Sequence, residues 1–306
     1  MESKRALPGF AAYLGAAALW AINGSVSKSL LEAGISSMRL AQLRVTIAFL
    51  ILLAIVAITR PAALRIRDRK ELAILALYGL AGVTMTQWLY FIGITLLPVG
   101  VALVLEFTAP LMVAIWVKFA WNHHVPRLAW AGLATALTGL VLITEVWNGF
   151  RLDGLGVAAS LGAAAALALY YLTGEKALGG DHPRDPLSLT MWGFAFATAF
   201  WAVFQPVWQF PWDFLNGSIE LLPGTASPKV ALVAWMVVLG TVVPFWLVLV
   251  AMKRISAQQA AGLGMTEPVL ASFWAWFLLG ENLSSWQIVG GVVTLSGVAL
   301  AEIARR

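Results

Sequence analysis

Two carboxylates stand inside apolar runs long enough to cross a membrane. Glu267 lies in GMTEPVLASFWAWFLLG, directly before Pro268, and Glu106 lies in VALVLEFTAP, four residues before Pro110. A carboxylate at the centre of a bilayer costs on the order of 3 kcal/mol on insertion scales, so it needs a partner or a use. Each proline removes a helix hydrogen bond beside a charge. In that setting a carboxylate can bind a substrate ammonium group or carry a proton. Structural readings stand beside these: Glu267 can cap backbone amides left by the Pro268 kink, and Glu106 can pair with Lys28 or Arg44.

Arg44, in LAQLRVTIAFLILL, lies about two turns inside the second apolar run. Its planar fork matches a carboxylate bidentately. The reading adopted for it is structural, a tie to a helix end or a glutamate. Lys28, one turn from a helix end, is read as a snorkelling structural charge. Tryptophan and tyrosine ordinarily gather at the two membrane interfaces. Here Trp20, Trp88, Tyr90, Tyr170 and Trp246 fall away from span ends or within two turns of them. Asn23 follows Trp20 by one turn, and Gln87 precedes Trp88. An amide beside an aromatic face suits a cavity that stacks a ring and hydrogen-bonds an amino acid head group. The alternative is lipid-facing or core packing, which is the expectation for Trp201. The candidate substrate-binding set is therefore Trp20, Asn23, Gln87, Tyr90, Glu106, Tyr170, Trp246, Met265 and Glu267, with Pro110 and Pro268 as candidate hinges.

The composition narrows the class. Of 306 residues, 60% are hydrophobic and 11% charged, which points to a membrane protein. There is no cysteine, so thiol and disulfide chemistry are excluded. His123, His124 and His182 fall in loops, so a histidine relay through the membrane and a metal site are not expected. No GxxxxGK[ST] loop is present for an ATP motor, no ATPase subunit is implied, and no cofactor is indicated. An intramembrane enzyme would need a nucleophile and base, and no GxSxG element appears. The net charge of +5 is scattered through short loops, which argues for membrane orientation rather than nucleic-acid binding.

Ten spans are expected, at about 9–31, 38–59, 72–93, 97–119, 127–147, 154–174, 187–208, 230–252, 257–279 and 285–303. The first is read as a helix that stays, not as a signal peptide. Phe210 to Lys229 is expected to lie flat on the membrane surface. Small residues every four positions, as at Gly156, Ser160, Ala164 and Ala168, predict close helix packing. With the N-terminus inside, fifteen basic residues face the cytoplasm and three (Arg39, Arg151 and Lys229) face out, so both termini are placed in the cytoplasm.

Glu106–Ile143 repeats 158 residues later. Pro110 meets Pro268, Trp116 meets Trp274, Gly132 meets Gly290 and Gly139 meets Gly297, whereas the two glutamates do not align. Five spans per half is an odd number, so the halves must be inverted, an arrangement typical of secondary transporters. His123 and His124 then face inward where Glu281 and Asn282 face outward. The expected fold is all-α, with ten transmembrane helices in two inverted five-helix repeats, residues 1–149 and 150–306, around a central cavity.

TEPV at Pro268 and the following LLGENLSSWQIVGGVVTLSGVAL resemble the closing signature of EamA-type transporters of the drug/metabolite transporter superfamily. The AP at Ala109-Pro110 resembles its first copy, and Arg44 matches the arginine-bearing second helix of that family. The resemblance covers essentially the whole chain. It departs at LSLTMWGFAFATAF, the second-half counterpart of the Arg44 segment, which holds no arginine. The resemblance implies a basket of helices, alternating access and export from a bacterial inner membrane. Within the family, the likeness is to exporters of aromatic amino acids. Other neutral amino acids, drug-like cations or other small metabolites remain alternatives, and protons are a possible coupling ion.

Overall fold

The computed structural model describes residues 2–148, 153–179, 182–222, 224–280 and 282–304. Arg151, Glu281, Arg305 and Arg306, used above in the charge argument, lie outside the described residues.

Apolar runs fold as helices because the hydrocarbon core offers backbone groups no partner but each other. In the first half the spans are α1 (Glu2–Glu32), α2 (Ser37–Thr59), α3 (Arg69–Ala76) continued by a π-helical stretch (Leu77–Met85) and α4 (Thr86–Leu96), then α5 (Val99–Glu106) with α6 (Ala109–Phe119), and α7 (Arg127–Thr144). The second half repeats the plan. It has α8 (Gly154–Leu178), α9 (Pro186–Phe204), α10 (Lys229–Val237) continued by a π-helical stretch (Val238–Val242) and α11 (Val243–Met252), then α12 (Ala257–Gly264) with α13 (Glu267–Leu279), and α14 (Ser285–Ile303). Nine stretches are long and apolar enough to cross a membrane among the described residues. The tenth crossing is α12 with α13, which the break at Met265-Thr266 divides.

Helix starts follow from polar caps. Ser256 with Gln259 and Ser284 with Gln287 are reciprocal capping boxes at α12 and α14. Asp68, Asp153 and Asp185 accept backbone N–H groups at the starts of α3, α8 and α9.

The interruptions are equally local. Proline at 110 or 268 cannot donate to the carbonyl four residues back, that of Glu106 or Gly264, and there α5 and α12 end. Thr108 and Thr266 occupy the two breaks, and their hydroxyls donate to the carbonyls of Leu105 (2.6 Å) and Leu263 (2.7 Å). In the third span of each half, a threonine hydroxyl reaches five residues back. Thr84 bonds Gly79 O at 3.0 Å and Thr241 bonds Met236 O at 2.9 Å, within the two wide turns.

The halves meet backbone to backbone between α7 and α14. A Cβ added at Gly139 would lie 2.4 Å from Thr294 N, and one added at Gly297 would lie 2.3 Å from Ala136 N. Gly132 and Gly290 are as tight. Ala136 and Thr294 face each other 158 residues apart, with Thr294 Oγ1 donating to Ala136 O at 3.5 Å. The close-packing expectation for α8 also holds: Ser160 and Ala164 are fully buried.

Polar ties close the two ends. At the end that carries the termini, Arg184 pairs with Glu71 at 2.5 Å and donates to the carbonyls of Ala63 and Arg65. At the other end, Arg39 donates to Pro206 O (3.1 Å) and Gln42 donates to Gln205 O. The segment expected to lie flat on the membrane surface is folded. After two short 3-10 turns it forms an antiparallel hairpin, β1 (Ser218–Leu222) with β2 (Thr225–Pro228). β1 packs on α1 and α13.

Because the α7–α14 contact leaves no room for a side chain, Gly297→Val should destabilise the protein by about 1–3 kcal/mol or more. Gly154→Ala, whose Cβ would meet nothing within 4 Å, should not. Thermal unfolding in detergent compares them. Equal melting temperatures would remove this contact from the stability of the fold.

Candidate functional site

The carboxylates of Glu106 and Glu267 border one cavity of about 420 Å³ between the two halves. Glu106 is the last residue of α5 and Glu267 the first of α13, so each helix break delivers one of them. Arg44, on α2, borders the same cavity. None of the three forms an ion pair within 4.0 Å among the described residues. Arg44 Nε is buried without a hydrogen-bond partner.

The walls are aromatic. Trp20 and Phe245 meet edge to face at 5.2 Å, and Tyr170 meets Phe245 at 5.9 Å. Tyr170 in turn stacks on Tyr78 at 5.0 Å. Two glycines set this wall. An added Cβ at Gly82 would lie 2.8 Å from Tyr170 Cα, and one at Gly240 would lie 2.2 Å from Asn23 Oδ1. Both glycines sit in the π-helical stretches, so the wide turn of each half seats a cavity residue of the other half.

The cavity reaches Leu31 and Ser37, at the α1–α2 loop, away from the termini. Towards the termini it stops at Tyr171 and Gly264. Behind these, the Tyr13 and Tyr171 hydroxyls share a hydrogen bond of 2.5 Å. A Cβ on Gly264 would come within 3.0 Å of Tyr13 Oη and 3.1 Å of Tyr171 Oη.

Of the residues nominated from sequence, Trp20, Asn23, Gln87, Tyr90, Glu106, Tyr170 and Glu267 line the cavity. Two lie elsewhere. Trp246 is 38% exposed and does not line this cavity. Its neighbour Phe245 lines the cavity, one helical position away. Met265 is fully buried in the core at the α12–α13 break. Arg44, nominated as a structural charge, borders the cavity, and Lys28 is exposed and does not. Pro110 and Pro268 each open the second half of a broken span. Trp88 packs on Phe200 and Phe204, and Trp201 is buried in the core. Sequence reasoning missed Tyr171, Phe245, Thr86 and Ser27. The adjacent pair Tyr170-Tyr171 was a usable signal, since a wide cavity can touch neighbouring helical positions. His123 and His124 line a second pocket of about 430 Å³ at the termini end, beside Glu175, which accepts the Ala257 N–H at 3.0 Å.

Comparison with known proteins places this geometry. The EamA-like transporter family matches residues 7–145 and again residues 154–302. The threonine/homoserine exporter RhtA of Salmonella typhimurium (strain SL1344) is 29% identical over 243 residues, which are 78% of this chain and 73% of that protein. The uncharacterized transporter YdfC of Bacillus subtilis is 26% identical over 88% of this chain and 83% of its own. A solved crystal structure shares the fold with a TM-score of 0.75 at 19% identity, covering 99% of both chains. Two family matches that together span nearly the whole chain, one on each inverted half, show that this multi-pass membrane protein belongs to the EamA-like transporter family.

Proposed function

We propose that this protein is a secondary transporter of a bacterial inner membrane that exports neutral amino acids, aromatic ones foremost, by alternating access. The observation that carries the reading is the central cavity, where two carboxylates and a guanidinium stand among aromatic rings at the breaks of two inverted helices. A cavity of about 420 Å³ falls in the range of small-molecule sites. Export is supported by the threonine/homoserine exporters among the relatives. Both termini are placed in the cytoplasm on the basic-residue asymmetry, so the cavity faces outward in this conformation.

A second reading, favoured by those same relatives, is export of small hydroxylated amino acids. The lining speaks for larger side chains, because Trp20, Tyr90, Phe91, Tyr170 and Phe245 surround the space. The test is uptake into proteoliposomes with competing amino acids. Burying a phenyl ring rather than a threonine side chain should favour phenylalanine roughly tenfold. Preference for threonine or homoserine would replace the aromatic reading. Flux of no amino acid would retire amino acid export and leave drugs or other metabolites. The same vesicles, run with and without an imposed pH gradient, compare Glu106→Gln and Glu267→Gln. Gradient-driven accumulation lost in either variant would name a proton carrier. Gradient-independent flux in both would mean a facilitator.

In this reading Pro110 and Pro268 are hinges, and the Tyr13–Tyr171 hydrogen bond closes the inner side. Leu103 lines the cavity, while its counterpart 158 residues on, Ala261, is buried. Ala261 should therefore line the cavity when the inner side opens. The chain has no native cysteine, so a single Ala261→Cys reports on that side. Adding Tyr13→Phe removes a hydrogen bond of about 0.5–1.5 kcal/mol and should speed maleimide labelling roughly two- to tenfold. An unchanged rate would dismiss the tyrosine pair as a closure.

A further inference from the structure

The cavity holds a positive charge that the fold does not use. Arg44 stands half-buried in the middle of a transmembrane bundle, bordering the cavity with its Nε sequestered and unpartnered. An arginine at membrane depth is retained where it pairs or serves a ligand, and truncating or leaving it unpaired is costly. Glu106 and Glu267 stand on the same cavity, each without an ion pair within 4.0 Å among the described residues. The site thus presents one anion-binding fork and two cation-binding carboxylates to the same volume.

We infer that Arg44 is the carboxylate anchor of the binding site, and that the substrate is a zwitterionic α-amino acid with its carboxylate on Arg44 and its ammonium towards Glu267 and Glu106. This rests on the transport function proposed above and narrows its substrate. The guanidinium presents two parallel N–H groups that a carboxylate can accept. Asn23, whose Oδ1 is buried without a partner, borders the same cavity as a neutral polar group. The charge arrangement is one-sided. The second-half counterpart of the Arg44 segment, LSLTMWGFAFATAF, has no charged residue and contributes nothing to the cavity lining. Among the described residues no second anchor borders the cavity, so the amino acid is held in one orientation. Two carboxylates nearby disfavour anions that lack an ammonium group, and a cation without a carboxylate leaves Arg44 unsatisfied.

The test uses three ligands that share one ring: phenylalanine, phenethylamine (no carboxylate) and 3-phenylpropionate (no ammonium). Each competes for radiolabelled phenylalanine flux in proteoliposomes containing wild type, Arg44→Lys or Arg44→Gln. Wild type should favour phenylalanine over phenethylamine on the order of tenfold, the weight of one charge-assisted contact. Arg44→Gln should lose that preference by weakening phenylalanine while phenethylamine competes at least as well as before, which also shows that the variant is folded. Arg44→Lys should recover part of the preference, since it keeps the charge without the fork. Equal competition by phenylalanine and phenethylamine in wild type would overturn the anchor, and needs no variant to fold. So would an equal loss of both ligands in a folded Arg44→Gln. Neither result would touch amino acid transport itself, whereas absence of wild-type phenylalanine flux would overturn the functional reading and this assignment together.

Discussion

A helix crossing hydrocarbon must satisfy its own backbone, and this chain breaks that rule in two matched places. Pro110 and Pro268 cannot donate to the carbonyls of Glu106 and Gly264, and α5 and α12 stop there. Irregular backbone at membrane depth is tolerated where it is buried in protein or lines a cavity. Both conditions are met: Thr108 and Thr266 satisfy carbonyls within the breaks, and Glu106, Gly264 and Glu267 border the cavity. Break and cavity thus require each other. The breaks bring polar groups to mid-depth, and the cavity gives those groups a place to be.

A second constraint is how the halves hold each other. α7 and α14 touch through four glycines with backbone atoms in contact, which fixes one seam between the repeats. The wide turns act differently. Gly82 seats Tyr170 of the other half and Gly240 seats Asn23 of the first. Because these contacts cross between repeats at the cavity wall, a shift of one half against the other would be felt at the binding residues. The hydroxyl pair of Tyr13 and Tyr171 also joins the two halves, through α1 and α8. The packing on α7–α14 leaves no freedom for a side chain, while the cavity wall is made of rings and single hydrogen bonds.

Much of this was legible from residue type and spacing. Span length, the prolines 158 residues apart and the odd number of spans per half led to ten helices in inverted repeats. The carboxylates beside prolines, the Trp20–Asn23 pair and Gln87 pointed to the cavity because amides and charges have no place facing lipid. What stayed hidden depended on helical phase and backbone detail. Trp246 was chosen by residue type and depth, which do not tell the inward face of a helix from the outward one, and its neighbour Phe245 lines the cavity instead. Met265 looked accessible because it neighbours Glu267, yet the break turns it into the core. Arg44 was read as a tie because arginines in membranes usually pair, whereas among the described residues it forms no ion pair within 4.0 Å. The Ser218–Pro228 hairpin escaped notice because its prolines and short strands read as loop.

On the substrate assignment proposed above, the three charges would also link substrate and proton. Arg44 and Glu267 border the same cavity without forming an ion pair within 4.0 Å. A substrate carboxylate seated on Arg44 would compete with Glu267 for that positive charge. Glu267 would then be released to take an ammonium group, which a zwitterion brings in the same molecule. A substrate with only an ammonium group would leave the Arg44 attraction in place and bind a carboxylate already partly compensated. With all three groups ionised the site carries one net negative charge, and a zwitterion does not change that sum. Where closure shuts water out such a charge is expensive, so on the function proposed above a proton on the remaining glutamate would complement a bound amino acid. On this argument the arginine would do more than select the head group: it would set which carboxylate is free to carry a proton when the site is full.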